Sequence, residues 1–232
     1  MKKILFFCFV SFSLLGCDGM NNNYQSLMLL YGVQAIEESR IIQDNDIGHY
    51  KRYTGASPLI CFMGDSRIDV YQIDDYYSGK NIINYGRAGS TTKGIIRRVP
   101  TVISWNPDIV IISVGYNNIP RLYLYPDPVG DIIYSCNAIK KANPGVTIYV
   151  TNIVPNTENY NTKINRNEII KAYNDQLETA CNANGINYLY FDVMEDGAGN
   201  LREDYSIDGV HYNDAGYDAL TVFLKSRIPE LN

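Results

Sequence analysis

A serine, a histidine and an aspartate are placed along this chain as acyl transfer would need them. Ser66 follows Gly64-Asp65 directly after the apolar run Leu59-Ile60-Cys61-Phe62-Met63. Only two histidines exist, and the second stands in Asp208-Gly209-Val210-His211-Tyr212-Asn213. A serine hydroxyl is a poor nucleophile at neutral pH until a neighbouring imidazole takes its proton. The imidazole in turn needs a carboxylate to hold its tautomer and stabilise its charged form. Asp208, three residues before His211, is close enough in a turn to reach the same ring. Two further stretches offer donors for an oxyanion, Asn84-Tyr85-Gly86-Arg87-Ala88-Gly89-Ser90 and Gly115-Tyr116-Asn117-Asn118. The N–H groups of Ser66 and Gly89 with the side-chain amide of Asn117 could supply three donors to a tetrahedral intermediate. Each residue alone also has a plainer reading: Gly-Asp-Ser and Gly89 as turn chemistry, Asn117 as a loop cap, and Asp208 and His211 as a turn former beside a helix cap.

These residues need a scaffold that brings distant positions to one edge. The run 59–63, bounded by Pro58 and Gly64, reads as a strand buried on both faces. Further apolar runs at 81–85, 108–114, 146–153 and 186–192 predict four more strands. Amphipathic stretches lie between them: a short one after Ser66, then 91–104, 129–142, 164–183 and 214–227. Alternation of this kind predicts a doubly wound parallel sheet with right-handed crossovers. The carboxyl ends of all five strands then share one rim, where ligands of open α/β sheets bind. The irregular segments 115–128 and 194–208 fall on that rim, and long irregular loops are more often functional than idle. Tyr116, Tyr123 and Tyr125 make the first a candidate substrate wall. His49 lies in a lead-in before the regular pattern.

The first 57 residues follow another logic. Lys2 and Lys3 precede an apolar run from Ile4 to Leu15, then Gly16-Cys17, which reads as a secretory signal too short to span a bilayer. Leu14-Leu15-Gly16-Cys17 resembles the lipobox of bacterial lipoproteins, which implies cleavage before Cys17, lipidation of its thiol and an anchored place in the cell envelope, periplasmic or on the cell surface. The alternative is an ordinary signal peptide in which Cys17 is incidental. Residues 18–57 read as a tether and lead-in, with helical apolar spacing from Leu27 to Ile42, and 58–232 as one domain. The net charge of −5 comes with no basic patch, which argues against nucleic acid as a partner. Beyond Cys8 and Cys17 the cysteines are Cys61, Cys136 and Cys181, an odd number that excludes a full disulfide framework. Cys136 and Cys181 could pair in an oxidising compartment or stand as two packed thiols. Twenty tyrosines against one tryptophan suit either a polar-tolerant core or a sugar-stacking surface.

Gly64-Asp65-Ser66, the glycine stretch ending at Gly89, Gly115-Tyr116-Asn117-Asn118 and Asp208-Gly209-Val210-His211 resemble, in order, the four blocks of the SGNH (GDSL-type) hydrolases. The resemblance implies a flavodoxin-like three-layer α/β/α sandwich with a five-stranded parallel sheet of order 2-1-3-4-5. It implies Ser66 as nucleophile, His211 as base, Asp208 as its orienting acid, and Ser66, Gly89 and Asn117 as oxyanion donors, without metal or organic cofactor. Two positions depart from the family pattern. Asn118 stands where aspartate is usual, and is expected to support the loop. Arg67 stands where an aliphatic residue is usual, so it either favours anionic substrates or points to solvent. The expected activity is a serine esterase for small acyl esters, with O-acetyl groups on carbohydrate favoured by the tyrosine-rich rim. A lysophospholipase or thioesterase would call for an apolar groove that the polar loops disfavour. A non-catalytic glycan-binding lipoprotein is the reading from a different class.

Overall fold

The computed structural model describes residues 50–122 and 126–232, apart from the side chains of Ala56 and Ser57. The expected signal segment, Cys17, His49, the helix expected at 27–42, Tyr123 and Tyr125 lie outside the described residues.

Each expected strand forms: β2 (Ala56–Gly64), β3 (Lys80–Gly86), β4 (Ile109–Ser113), β5 (Thr147–Thr151) and β6 (Asn187–Leu189). They run parallel, in the expected 2-1-3-4-5 sense. The sheet has six strands, however, not five. Lys51–Tyr53 forms β1, which pairs antiparallel with β3 and gives the order β1-β3-β2-β4-β5-β6. Three residues, two of them exposed, are too few to show a hydrophobic period, so the sequence pattern is silent there. Strand β2 also starts earlier than its apolar run, through a register shift between Ala56 and Leu59. Pro58, which has no N–H to give a ladder, sits within that shift.

Helices cover both faces: α1 (Ser66–Asp69), α2 (Ile73–Tyr76), α3 (Thr92–Trp105), α4 (Pro128–Ala142), α5 (Glu158–Ile164), α6 (Asn167–Ala183) and α7 (Asp214–Arg227). Alternation along the strands divides the core. Cys61 and Met63 of β2, Ile83 and Tyr85 of β3, and Val110 and Ile112 of β4 pack with Ile95, Ile132 and Leu177 of α3, α4 and α6. Ile60, Phe62, Ile82 and Ile111 face the other way, against Ile68, Tyr71, Leu220 and Leu224. Ile60, Phe62, Ile83 and Ile112 are fully buried, each contributing about 1.5–3 kcal/mol of transfer free energy.

Local chemistry sets the helix ends. Asp127 accepts from Gly130 N at 2.8 Å with Pro128 opening α4, and Asn213 accepts from Gly216 N at 3.0 Å to open α7. The helix expected over 164–183 forms as α6 but starts three residues later, at Asn167, and a separate helix that the sequence pattern did not suggest, α5, ends at Ile164. Asn165 adopts a left-handed φ of 47°, and the Asn161 side chain accepts from the N–H groups of Arg166 and Asn167 at 2.8 and 2.9 Å, ending one helix and starting the next. Strand β6 is shorter than the expected 186–192, because Phe191 N turns from the ladder to the Asn152 side chain at 2.8 Å. Cys61, Cys136 and Cys181 are free and buried, so Cys136 and Cys181 are packed thiols; burial raises the Cys136 thiol to about 12. No helix among the described residues is long and apolar enough to cross a membrane.

Candidate active site

Strand β2 ends at Gly64, and the chain passes through Asp65 into α1, which begins at Ser66. The Asp65 side chain caps this short helix by accepting from Arg67 N at 3.1 Å. Burial raises the Asp65 carboxyl, against the opposing pull of Arg67 and its N–H. Ser66 is thereby fixed, half-buried, at the carboxyl end of a central strand.

The turn before α7 brings up the other two members. One Asp208 oxygen, Oδ1, accepts from Val210 N at 2.9 Å and from His211 N at 2.8 Å. The other, Oδ2, meets His211 Nδ1 at 2.7 Å. Burial acts to raise the Asp208 carboxyl, but the His211 N–H, the His211 ring and the Val210 N–H outweigh it and hold the group below its ordinary value. His211 Nε2 then lies 3.0 Å from Ser66 Oγ, across 145 residues of sequence. The turn is itself braced. Ser206 Oγ donates to the His211 carbonyl at 3.0 Å and accepts from Gly209 N at 2.8 Å, while Thr157 N donates to the Gly209 carbonyl at 3.0 Å.

The expected oxyanion donors sit on two neighbouring loops. Gly89 is exposed and has φ +77°, the left-handed region that favours glycine. Asn117 lies on the 3-10 turn Tyr116–Arg121, and its Nδ2 donates to the Ser90 carbonyl at 3.0 Å, so Ser90 ties the two loops together. Among the described residues the N–H groups of Ser66 and Gly89 make no hydrogen bond.

Asn118, the departure from the usual aspartate, is fully buried. Its Oδ1 accepts from Thr92 N at 3.1 Å and its Nδ2 donates to Thr92 Oγ1 at 3.0 Å. The Thr92 hydroxyl is left to donate to Asp131 Oδ2 at 2.8 Å, and Lys93 Nζ pairs with Asp131 Oδ1 at 2.6 Å. An amide satisfies both Thr92 groups at once, and the carboxylate stands one layer further out, on α4.

Arg67 neither points to solvent nor lies open toward a ligand. It is 5% exposed; Nε donates to the Val210 carbonyl at 3.1 Å and Nη1 to the Val154 carbonyl at 2.9 Å. Its guanidinium carbon lies 5.0 Å from the ring centres of both Tyr116 and Tyr212. The Tyr116 hydroxyl is engaged as well, donating to Asn156 Oδ1 at 2.7 Å.

Sequence reasoning passed over Arg98. It is buried on α3, donating from Nε to Gly94 O at 3.1 Å, from Nη1 to Tyr85 O, and from Nη2 to Gly64 O and Ser90 Oγ at 3.1 and 2.7 Å. One guanidinium thus joins the ends of β2 and β3 to the Gly89 loop. Its signal in the sequence was a cation set among Ile95, Val99 and Val102 on the apolar stripe of α3. Asp69 was also missed; its Oδ2 accepts from Ala88 N at 3.1 Å, next to Gly89. Arg98→Met leaves several buried carbonyls without a donor and is expected to cost about 3 kcal/mol. Urea unfolding followed by circular dichroism should show the midpoint lowered by about 1–2 M.

Among the described residues no group of three or more His, Cys, Asp or Glu side chains could hold a metal ion.

The sheet is thus mostly parallel, with Ser66 at the end of a central strand, Asn117 on a later loop and His211 in the turn before α7. The chain belongs to the GDSL-like lipase/acylhydrolase family, whose model matches residues 64–219. It is 28% identical over 158 residues to an N-acylneuraminate cytidylyltransferase of Escherichia coli O18:K1:H7; the match covers 66% of this chain and 35% of that protein, so the chain spans about a third of its relative's length. Among solved structures it is similar to a protein from Streptococcus pneumonia described as a platelet activating factor, with TM-score 0.68 and 23% identity over 89% of this chain and 99% of that one. It is also similar to an acetyl xylan esterase, with TM-score 0.61 and 16% identity over 73% of this chain and 99% of that one. At such identities the structural likeness is one of fold.

Proposed function

We propose that this protein is a serine ester hydrolase in which Ser66 is nucleophile, His211 general base and Asp208 the carboxylate that orients it. The observation that carries the reading is the unbroken chain from Ser66 Oγ to His211 Nε2 at 3.0 Å and from His211 Nδ1 to Asp208 Oδ2 at 2.7 Å. Oδ2 receives the Nδ1 proton, which leaves Nε2 with its lone pair toward the serine. Nε2 takes the hydroxyl proton as Oγ attacks the ester carbonyl, and returns it to the leaving alcohol. The N–H groups of Ser66 and Gly89 and the Asn117 amide receive the oxyanion; a prearranged donor of this kind is worth about 10²–10³-fold in kcat. Water then attacks the acyl-enzyme by the same proton route and releases the acid.

The substrate read here is a small acyl ester, foremost an O-acetyl group on carbohydrate. It is supported by the polar loops around the rim and by the fold shared with an acetyl xylan esterase. Cys17 in its lipobox-like setting is read as a lipid-bearing residue that holds the protein at the cell envelope; incorporation of labelled palmitate, lost in Cys17→Ala, tests this. For the chemistry, the purified protein is expected to hydrolyse p-nitrophenyl acetate faster than the octanoate, and to release acetate from acetylated xylan or pectin. Ser66→Ala should abolish all three activities. Equal turnover by Ser66→Ala and the parent would reject the nucleophile, and a preference for octanoate would replace the deacetylase by a lipase or thioesterase.

A further inference from the structure

Arg67 is next to the proposed nucleophile in sequence and touches both neighbours of the proposed base in space. Its Nε donates to the carbonyl of Val210, the residue before His211. Its guanidinium carbon lies 5.0 Å from the ring centre of Tyr212, the residue after. A short ring results: Ser66 is bonded to Arg67, Arg67 to Val210 by a hydrogen bond, Val210 to His211 by a peptide bond, and His211 Nε2 to Ser66 Oγ at 3.0 Å. Two more contacts fix the corner of this ring. Nη1 is held by the Val154 carbonyl at 2.9 Å, in the loop after β5, and the Arg67 carbonyl accepts from the Tyr217 hydroxyl at 2.7 Å, in the helix that follows His211. The ring centre of Tyr116 lies 5.0 Å from the same guanidinium carbon.

We infer that Arg67 is the positioning residue of the serine–histidine pair: its buried guanidinium holds the His211 turn at hydrogen-bonding distance from the Ser66 helix. Ile68 of α1 packs in one buried cluster with Tyr212 and Tyr217, but at the rim a half-buried serine faces a ring that is itself 38% exposed, and there the guanidinium supplies the polar link between the two elements. A planar fork suits this task, because it can donate to two carbonyls and stack on aromatic faces at once. A lysine offers a point charge on a flexible stem and can do neither together. The inference rests on the proposed serine chemistry for its kinetic consequence, but not for its structural one.

The test compares the parent protein with Arg67→Lys, Arg67→Leu and Ser66→Ala. Both Arg67 variants are expected to lose about 10–100-fold in kcat with KM within about twofold of the parent, since displacing a catalytic group by about 1 Å costs on that order. Their rate of labelling at Ser66 by a fluorophosphonate should fall by a similar factor. The 15N resonance of His211 Nε2 should move toward its position in Ser66→Ala, where the hydroxyl partner is absent. That resonance also separates two failures. If the parent neither turns over esters nor labels, the hydrolase reading fails while the shift still reports on positioning. The inference is overturned if both variants keep kcat within about twofold and lose only thermal stability, or if KM rises with kcat unchanged, the mark of a substrate contact. It is overturned too if neither variant folds, because the residue would then hold the domain together and not the pair. Arg67→Lys keeps the charge and the stem, and is the arm read if only Arg67→Leu fails to fold.

Discussion

Asp208→Asn is expected to lower kcat by about 10²–10⁴-fold while leaving the fold and KM close to those of the parent. Asparagine is nearly isosteric, and its amide oxygen can still accept from the Val210 and His211 N–H groups, so the turn survives. What changes is the atom facing the ring. Where Oδ2 accepted the Nδ1 proton at 2.7 Å, an NH2 group would now donate to Nδ1. Nδ1 then becomes the acceptor and the ring proton moves to Nε2, so the nitrogen 3.0 Å from Ser66 Oγ has no lone pair to take the hydroxyl proton. Half the Asp208 side chain is exposed, so water can stabilise some of the productive tautomer, and the loss falls toward the lower end of that range. Initial-rate kinetics on p-nitrophenyl acetate check this, with circular dichroism confirming the fold. The same carboxylate fixes the sense of the pH dependence. Its value is held below that of an ordinary carboxyl, so Asp208 keeps its charge to more acidic pH than a free aspartate would. Loss of the Asp208 charge should therefore not limit activity in the parent until pH falls below the ordinary carboxyl range. The stabilising effect of the Asp208 contacts is present above the ordinary carboxyl value and is lost only as pH drops through the lowered one.

How much of this could be read from sequence depends on whether a feature is local. Strands β2 and β4 announce themselves as unbroken apolar runs because both their faces are buried. Helix α7 was readable to the residue, its Asn213 cap and amphipathic spacing both being local signals. The positions of Ser66, Asp208 and His211 were legible because each motif marks a strand end or a turn, and the doubly wound topology sends such points to one rim. The edge strand β1 was not, because its only structural reason is the free edge of β3, a tertiary fact. Nor was α5, which buries no residue and so leaves no apolar stripe, or its end at the left-handed Asn165, after which the Asn161 side chain accepts from the N–H groups of Arg166 and Asn167. The two buried arginines illustrate the limit most clearly. In sequence Arg67 and Arg98 are surface-type residues, and an arginine is rarely buried without partners. Their partners are backbone carbonyls of Val210, Val154, Gly64 and Tyr85, and carbonyls carry no sequence identity to read. The scaffold thus lies in the apolar pattern and the chemistry in the motifs, while the contacts that align one with the other are mostly side chain to backbone.

Gly209→Ala should be nearly as damaging as loss of a triad member, with activity reduced by about 100-fold or more. Gly209 lies between Asp208 and His211 with φ +90°, where an L side chain is strained whatever the space around it. Space is also missing. A β-carbon there would stand 2.5 Å from Tyr160 Cβ, 2.9 Å from Tyr160 Cγ and 3.1 Å from Thr157 Oγ1. Tyr160 Cβ cannot swing aside as a side-chain tip can, since it is tied to the backbone of α5. Either α5 moves outward or the 208–211 turn moves inward. The first breaks the hydrogen bond from Thr157 N to the Gly209 carbonyl, and the second changes the distance from Nε2 to Ser66 Oγ directly. The two causes can be separated by a second substitution. Tyr160→Gly in the Gly209→Ala background removes the colliding carbon but not the backbone strain, so activity should recover in part. Full recovery would assign the whole effect to the collision. No recovery would assign it to the left-handed backbone at residue 209, through which the turn places the base.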